Sequence, residues 1–235
     1  MRVKPEDCNL DTTNFIIIWY HNYSGGKFML NCLALNELSL FPHDILAQKQ
    51  IEGEFTVEDK MDYLRSELGK ITKGMFWTDL NLSDNIFFGF DKREYADPWR
   101  GIHYKPIVKD VSFSEYKFFR ASHDIREVRN ITKIWKNAKI ILFTHPHAYV
   151  EKRAKNDPKI RIYYEQLKYH EEHLEELRNF PNVIYEFDVR KYESETETLD
   201  AVRDIYEILD LPNYNREFLS EYYNLWYNKI EEIKL

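Results

Sequence analysis

Four consecutive residues, Ser24-Gly25-Gly26-Lys27, have the types and spacing to hold an oxyanion. They follow Phe15 to Tyr20, a run of β-branched and aromatic residues too short for a helix and suited to a buried parallel strand. They open Lys27 to Leu35, which reads as a helix with Phe28, Cys32 and Leu35 on one side and Met29 and Leu33 beside them. Strand, glycine turn, helix is a layout that holds phosphate. Glycines let the backbone approach, and the unpaired N–H groups and dipole at a helix start favour an anion. Lys27 adds a positive charge at that spot. The same turn also serves purely structural ends, so its surroundings decide.

Strands and helices must bring further groups to that turn. Lys117 to Ala121 reads as a second strand ending at Ser122-His123-Asp124, with Asp124 and Glu127 capping a helix that carries Ile125, Val128, Ile131 and Trp135. Ala138 to Phe143 is the strongest strand and reads as buried on both faces. It ends in Thr144-His145-Pro146-His147, from which a helix runs past Arg153. Lys159 to Arg178 is a long charged helix with Ile160, Tyr164, Leu167, Leu174 and Leu177 inward. Val183 to Phe187 is a fourth strand, Ser194 and Glu197 cap the helix of Leu199 to Leu209, and a terminal helix carries Phe218 to Ile233. Thr56 to Leu68 is a helix with Thr56 and Asp59 as its capping box and Gly69 as its stop. Leu38 to Glu54 reads as irregular or a short helix, Asn85 to Phe90 as a strand, and Asp97 to Gly101 as a turn.

Alternating strands and helices predict an α/β fold, three layers α/β/α with a mostly parallel central sheet. In such sheets the site lies outside the carboxyl ends of the strands. That brings together Tyr20 to Lys27, Ser122 to Asp124 and Thr144 to Arg153.

The 235 residues are expected to form a single domain: a core of 14–36 and 116–212, an irregular or substrate-recognition region over 37–115, and a C-terminal helix over 213–235. Hydrophobic residues make up 43%, enough for a full core. A net charge of -7 disfavours nucleic-acid binding, which wants a basic face. No stretch approaches the ~20 apolar residues of a membrane span, and no secretory signal is evident. Two cysteines, Cys8 and Cys32, build neither a disulfide framework nor a zinc site, and Cys32 reads as a small buried thiol. These features together give a cytoplasmic expectation. His145 and His147, with no nearby cysteine or clear carboxylate partner, do not make a metal site.

The P-loop pattern GxxxxGK[ST] is not met. Position 21 is His21 where the first glycine belongs, and Lys27 is followed by Phe28, which has no oxygen for Mg²⁺. The ordered series resembles the sulfotransferase family that uses 3′-phosphoadenosine 5′-phosphosulfate (PAPS). YSGGKF is similar to that family's KxGTT or KGGT loop, with Ser24 where a lysine is frequent and Lys27 where it has threonine. FRASHD is similar to the strand ending in KTH, and WKNAKIILFTHPHAYVEKR to NAKIIYVARNPKDVAVSYY. Pro181 to Pro212 follows the family's C-terminal rhythm.

The resemblance implies a P-loop-like sulfotransferase fold and transfer of a sulfuryl group from PAPS to a hydroxyl or amine of a small-molecule or glycan acceptor, without metal. It assigns His123 as catalytic base, a role neutral imidazole suits; His21 is a second possible base. Lys27 and the N–H groups of Gly25, Gly26 and Phe28 would hold the phosphosulfate, with Ser24 donating to it or capping the helix. The family's 3′-phosphate Arg and Ser fall on Thr144 and Lys152, so His145, His147, Lys152 and Arg153 are the replacement candidates. A nucleotide or small-molecule kinase, and a non-catalytic phage-type binding protein that keeps the fold, are the alternative readings.

Overall fold

The computed structural model describes residues 14–21, 24–70, 88–90, 102–104, 116–134, 136–148, 151 and 160–234. The first strand, β1 (Phe15–Trp19), is buried along its whole length. It alternates between two apolar clusters: Ile16, Ile18 and Tyr20 join one, while Phe15, Ile17 and Trp19 join the other. A strand buried on both faces must lie inside a sheet covered by helices on each side.

The helices bear this out. On one face pack α1 (Gly26–Ala34), α3 (Val57–Lys70), α6 (Glu195–Ile208) and α7 (Arg216–Lys234). On the other pack α4 (Ile125–Ile134) and α5 (Ile160–Arg178), with Ala47 from α2 (Asp44–Ile51). Between them lies a four-stranded sheet completed by β4 (Phe118–Ser122), β5 (Lys139–Thr144) and β6 (Val183–Asp188), ordered β4-β1-β5-β6. All three neighbour pairs are parallel. The protein is therefore α/β, with helices on both faces of a parallel sheet. A separate two-stranded antiparallel sheet pairs β2 (Phe88–Phe90) with β3 (Ile102–Tyr104).

Leu38 to Glu54 contains a short helix, one of the two readings of that stretch: α2, started by His43, whose ring accepts from Leu46 N–H at 3.4 Å. Other local expectations are corrected. Gly69 does not stop α3, which runs on to Lys70. Tyr164 lies on the exposed side of α5, not its inner side. The predicted strand over Asn85 to Phe90 falls partly, and the turn over Asp97 to Gly101 wholly, outside the described residues. The Thr56–Asp59 box is as expected: Asp59 accepts from Thr56 N–H at 2.7 Å and Thr56 Oγ1 from Asp59 N–H at 3.3 Å.

Sheet order fixes where a site belongs. The chain leaves β1 toward β4 and leaves β5 toward β6, in opposite directions. The carboxyl ends of β1 and β5 therefore flank a topological switch point, where parallel α/β sheets open a crevice.

Candidate functional site

The turn at this switch point joins β1 to α1. Gly25 is the N-cap of α1, in the left-handed region at φ 78, where glycine carries no Cβ penalty. Its carbonyl accepts the first helical bond from Met29 N–H at 3.1 Å and a second from Tyr192 Oη at 3.0 Å. Gly26 is required by packing: a Cβ there would stand 2.2 Å from the Tyr20 ring. Ser24 is buried and does not cap the helix; its hydroxyl donates to the His21 carbonyl at 2.5 Å. Among the described residues no side chain caps α1, and its first turn carries no acid. Lys27 alone among the residues of α1 is half-buried rather than buried. Phe28 turns its ring inward, 4.1 Å from Trp226 and 5.3 Å from Tyr222, leaving only its backbone N–H for the turn.

His123 stands exposed just past the end of β4. Parallel pairing of Trp19 with Ser122, extended by Tyr20 N–H donating to the Ser122 carbonyl at 3.0 Å, brings it to the same edge as the turn. Tyr20 links the two: its ring covers Gly26 and meets the His123 ring edge-on at 6.3 Å. Beside His123, burial raises the Asp124 carboxyl. Hydrogen bonds from Arg126, with a smaller pull from His123, more than reverse this and leave it below its ordinary value.

The residues after β5 divide. His145 takes φ 52, an uncommon conformation for a residue with a Cβ that costs about 1–3 kcal/mol. Its charge reaches Asp188 at the end of β6, where burial raises the carboxyl but Arg190, helped by His145, brings it below its ordinary value. His147 is exposed and lies 6.2 Å from the Tyr164 ring of α5. Thr144 is buried and donates to the Phe187 carbonyl at 3.4 Å. Lys152 and Arg153 lie outside the described residues. The structure thus brings Gly26 and His123 against Tyr20, with Lys27 following Gly26 on α1, while His147 lies near the Tyr164 ring of α5.

Behind the turn is a buried imidazole pair. His170 of α5 is 2% exposed, stacks on Trp19 at 3.9 Å and meets His21 edge-on at 5.7 Å. Its Nε2 lies 3.1 Å from the Phe143 carbonyl, which only accepts, so Nε2 carries the proton. Burial, then the charge of His21, pushes its imidazole down to about 3, which keeps it neutral. His21 itself is buried, in the core side of the turn rather than at its surface. His170 was not singled out in the sequence, although it follows Leu167 by three on the inner side of α5. Cys32 is buried, and burial raises its thiol well above the ordinary value. No group of three or more His, Cys, Asp or Glu among the described residues is placed to hold a metal ion. No described helix is long and apolar enough to cross a membrane.

No family model, curated protein or solved structure matches this chain.

Proposed function

We propose that the protein is a sulfotransferase, moving a sulfuryl group from PAPS to a hydroxyl or amine of a small-molecule or glycan acceptor. The observation that supports it best is Tyr20, whose ring contacts both the glycine-started turn of α1 and the exposed imidazole of His123. A glycine-started helix turn and an exposed imidazole thereby share one edge of the sheet.

PAPS supplies the activated sulfuryl group. His123 takes the acceptor proton as the new bond to sulfur forms. Lys27 and the N–H groups of Gly26 and Phe28 hold the donor's 5′-phosphosulfate and stabilise the negative charge left on the bridging oxygen as the old bond breaks. The Thr144 hydroxyl donates to the Phe187 carbonyl; the resemblance leaves the 3′-phosphate to His145, His147, Lys152 and Arg153, the last two outside the described residues. Phe28 occupies the position at which a P-loop carries its Mg²⁺-binding hydroxyl, and its ring is packed in the core. This favours a donor that needs no metal from the helix over Mg-ATP.

Thermal unfolding with the product analogue 3′-phosphoadenosine 5′-phosphate (PAP), with ATP plus Mg²⁺, and with neither, tests this. PAP at about 100 times its Kd should stabilise the protein by about 2.7 kcal/mol, and Lys27→Ala should abolish the rise. A rise only with ATP and Mg²⁺ replaces the reading by a kinase; no rise with either leaves a binding protein without a donor site.

A further inference from the structure

At the carboxyl end of β4 a buried polar cluster holds Ser122, the residue that precedes His123. Glu127, on the first turn of α4, is 8% exposed. One carboxylate oxygen accepts from Arg120 Nε and Nη2, both at 2.7 Å. The other accepts from the Ser122 hydroxyl at 2.6 Å. Ser122 Oγ in turn accepts from Asp124 N–H at 3.2 Å. A buried carboxylate held by guanidinium on one side and hydroxyl on the other has no freedom to turn, because leaving either donor costs the bond and strands a buried group.

We infer that Glu127 is a positioning residue that acts on His123 through Ser122. The two residues flanking His123 are fixed on both sides. Ser122 is held by its carbonyl to Tyr20 N–H and by its hydroxyl to Glu127; Asp124 is held by its N–H to Ser122 and by its carboxylate to Arg126. His123, exposed between them, receives one backbone direction and faces the Tyr20 ring. This rests on the reading of His123 as the base, for which a displacement of about 1 Å costs of order 10²-fold in rate. Capping of α4 does not account for the cluster. Asp124 already supplies the cap, accepting from Arg126 N–H at 2.9 Å.

The test compares Ser122→Ala, Glu127→Gln and His123→Asn in the full chain. Ser122→Ala keeps the Arg120–Glu127 pair and so guards against simple loss of fold. Two readouts are taken: the His123 imidazole carbon-bound proton resonance from pH 5 to 9, assigned by its absence in His123→Asn, and PAPS turnover with p-nitrophenol as acceptor probe. Wild type is expected to give one sharp titrating resonance. Ser122→Ala and Glu127→Gln should split, broaden or shift it, and lower kcat at least tenfold with KM for PAPS within twofold. A resonance unchanged from wild type in both variants overturns the inference, whatever the turnover. A resonance that moves while His123→Asn still turns over PAPS at the wild-type rate shows the structural coupling but removes His123 as base, and the positioning role in the reaction with it.

Discussion

The two ends of α1 are built on opposite principles. Every helix leaves its last carbonyls and first N–H groups without intrahelical partners. At the carboxyl end the chain supplies buried donors. Lys60 of α3, 1% exposed, donates from Nζ to the carbonyls of Ala34, Asn36 and Ser39 at 3.1, 2.6 and 2.8 Å. The Tyr206 hydroxyl donates to the Cys32 carbonyl at 3.0 Å. Gln50 laces the following loop to α2 through the carbonyls of Glu37 and Ser39. At the amino end Gly25 caps the helix with no side chain. Buried polar groups are almost always satisfied. An end closed by buried side chains is structure, while an end started by glycine, with no side-chain cap among the described residues, lets backbone N–H groups meet an anion.

The largest effect should come from the closed end. Lys60→Met takes one donor from each of the three carbonyls, of which Asn36 keeps the Ser39 N–H and Ser39 keeps Gln50, and should cost about 1–3 kcal/mol, read by urea unfolding at pH 7. The pH dependence separates charge from hydrogen bonding. Burial pushes the Lys60 ammonium down to about 7, opposed by the nearby Glu37 charge. The unfolded lysine titrates near 10.4, so between about pH 7 and 10.4 the unfolded state binds more protons. Stability from this group therefore rises with pH across that window, by up to about 1.4 kcal/mol per unit. Lys60→Met should lose that rise. A wild type flat from pH 7 to 9 would mean that the three carbonyls hold the charged form as well as water does.

The open end should be less sensitive to stability and more to shape. A methyl at Gly26 would meet the Tyr20 ring at 2.2 to 2.5 Å. Tyr20 is itself buried, against Phe143 and His123. Gly26→Ala should gain about 1 kcal/mol in helix propensity and lose about 1–3 kcal/mol to overpacking. The net loss should come with a weakened PAP response in thermal unfolding. If stability rises instead, Tyr20 yields freely and does not join the turn to His123.

Much of the fold was legible because its signals are local. The aliphatic runs of β1 and β5 read as buried strands and Val183 to Phe187 as a strand, and the Thr56 and Ser194 caps read from their spacing. Strand–helix alternation then implied that the three polar segments lie at one edge. What was not legible depends on contacts far apart in sequence. α3 passes Gly69 by one residue, and it is tied to α7 by the Arg65 fork on Glu221 at 2.7 Å, a contact 156 residues apart in sequence. Ser24 sits one residue before the true cap, and the His21 carbonyl competes for its hydroxyl. His170 keeps the inner-side spacing of α5, but its residue type reads as surface; only its place between Trp19 and the Phe143 carbonyl explains it. Arg120, Ser122 and Glu127 alternate between strand and helix, and no single period connects them.

The smallest expected effect tests the contrast itself. Tyr192 reaches the open end from the segment after β6, donating to the Gly25 carbonyl, while its own carbonyl accepts from the Tyr223 hydroxyl of α7 at 2.8 Å. Tyr192→Phe removes the first of these and keeps the ring in the aromatic cluster. The Gly25 carbonyl retains its bond from Met29 N–H, so no buried acceptor is stranded, and the loss should be only about 0.5–1.5 kcal/mol by urea unfolding. The Gly25 carbonyl and the Gly26 N–H belong to one planar peptide and point in opposite directions, so fixing one aims the other. Tyr192→Phe should therefore weaken the PAP response more than its small stability loss alone would. If it instead costs as much as Lys60→Met, the amino end of α1 is a structural joint like the carboxyl end, and the glycines record the packing of Tyr20 and Tyr192 rather than a place for an anion.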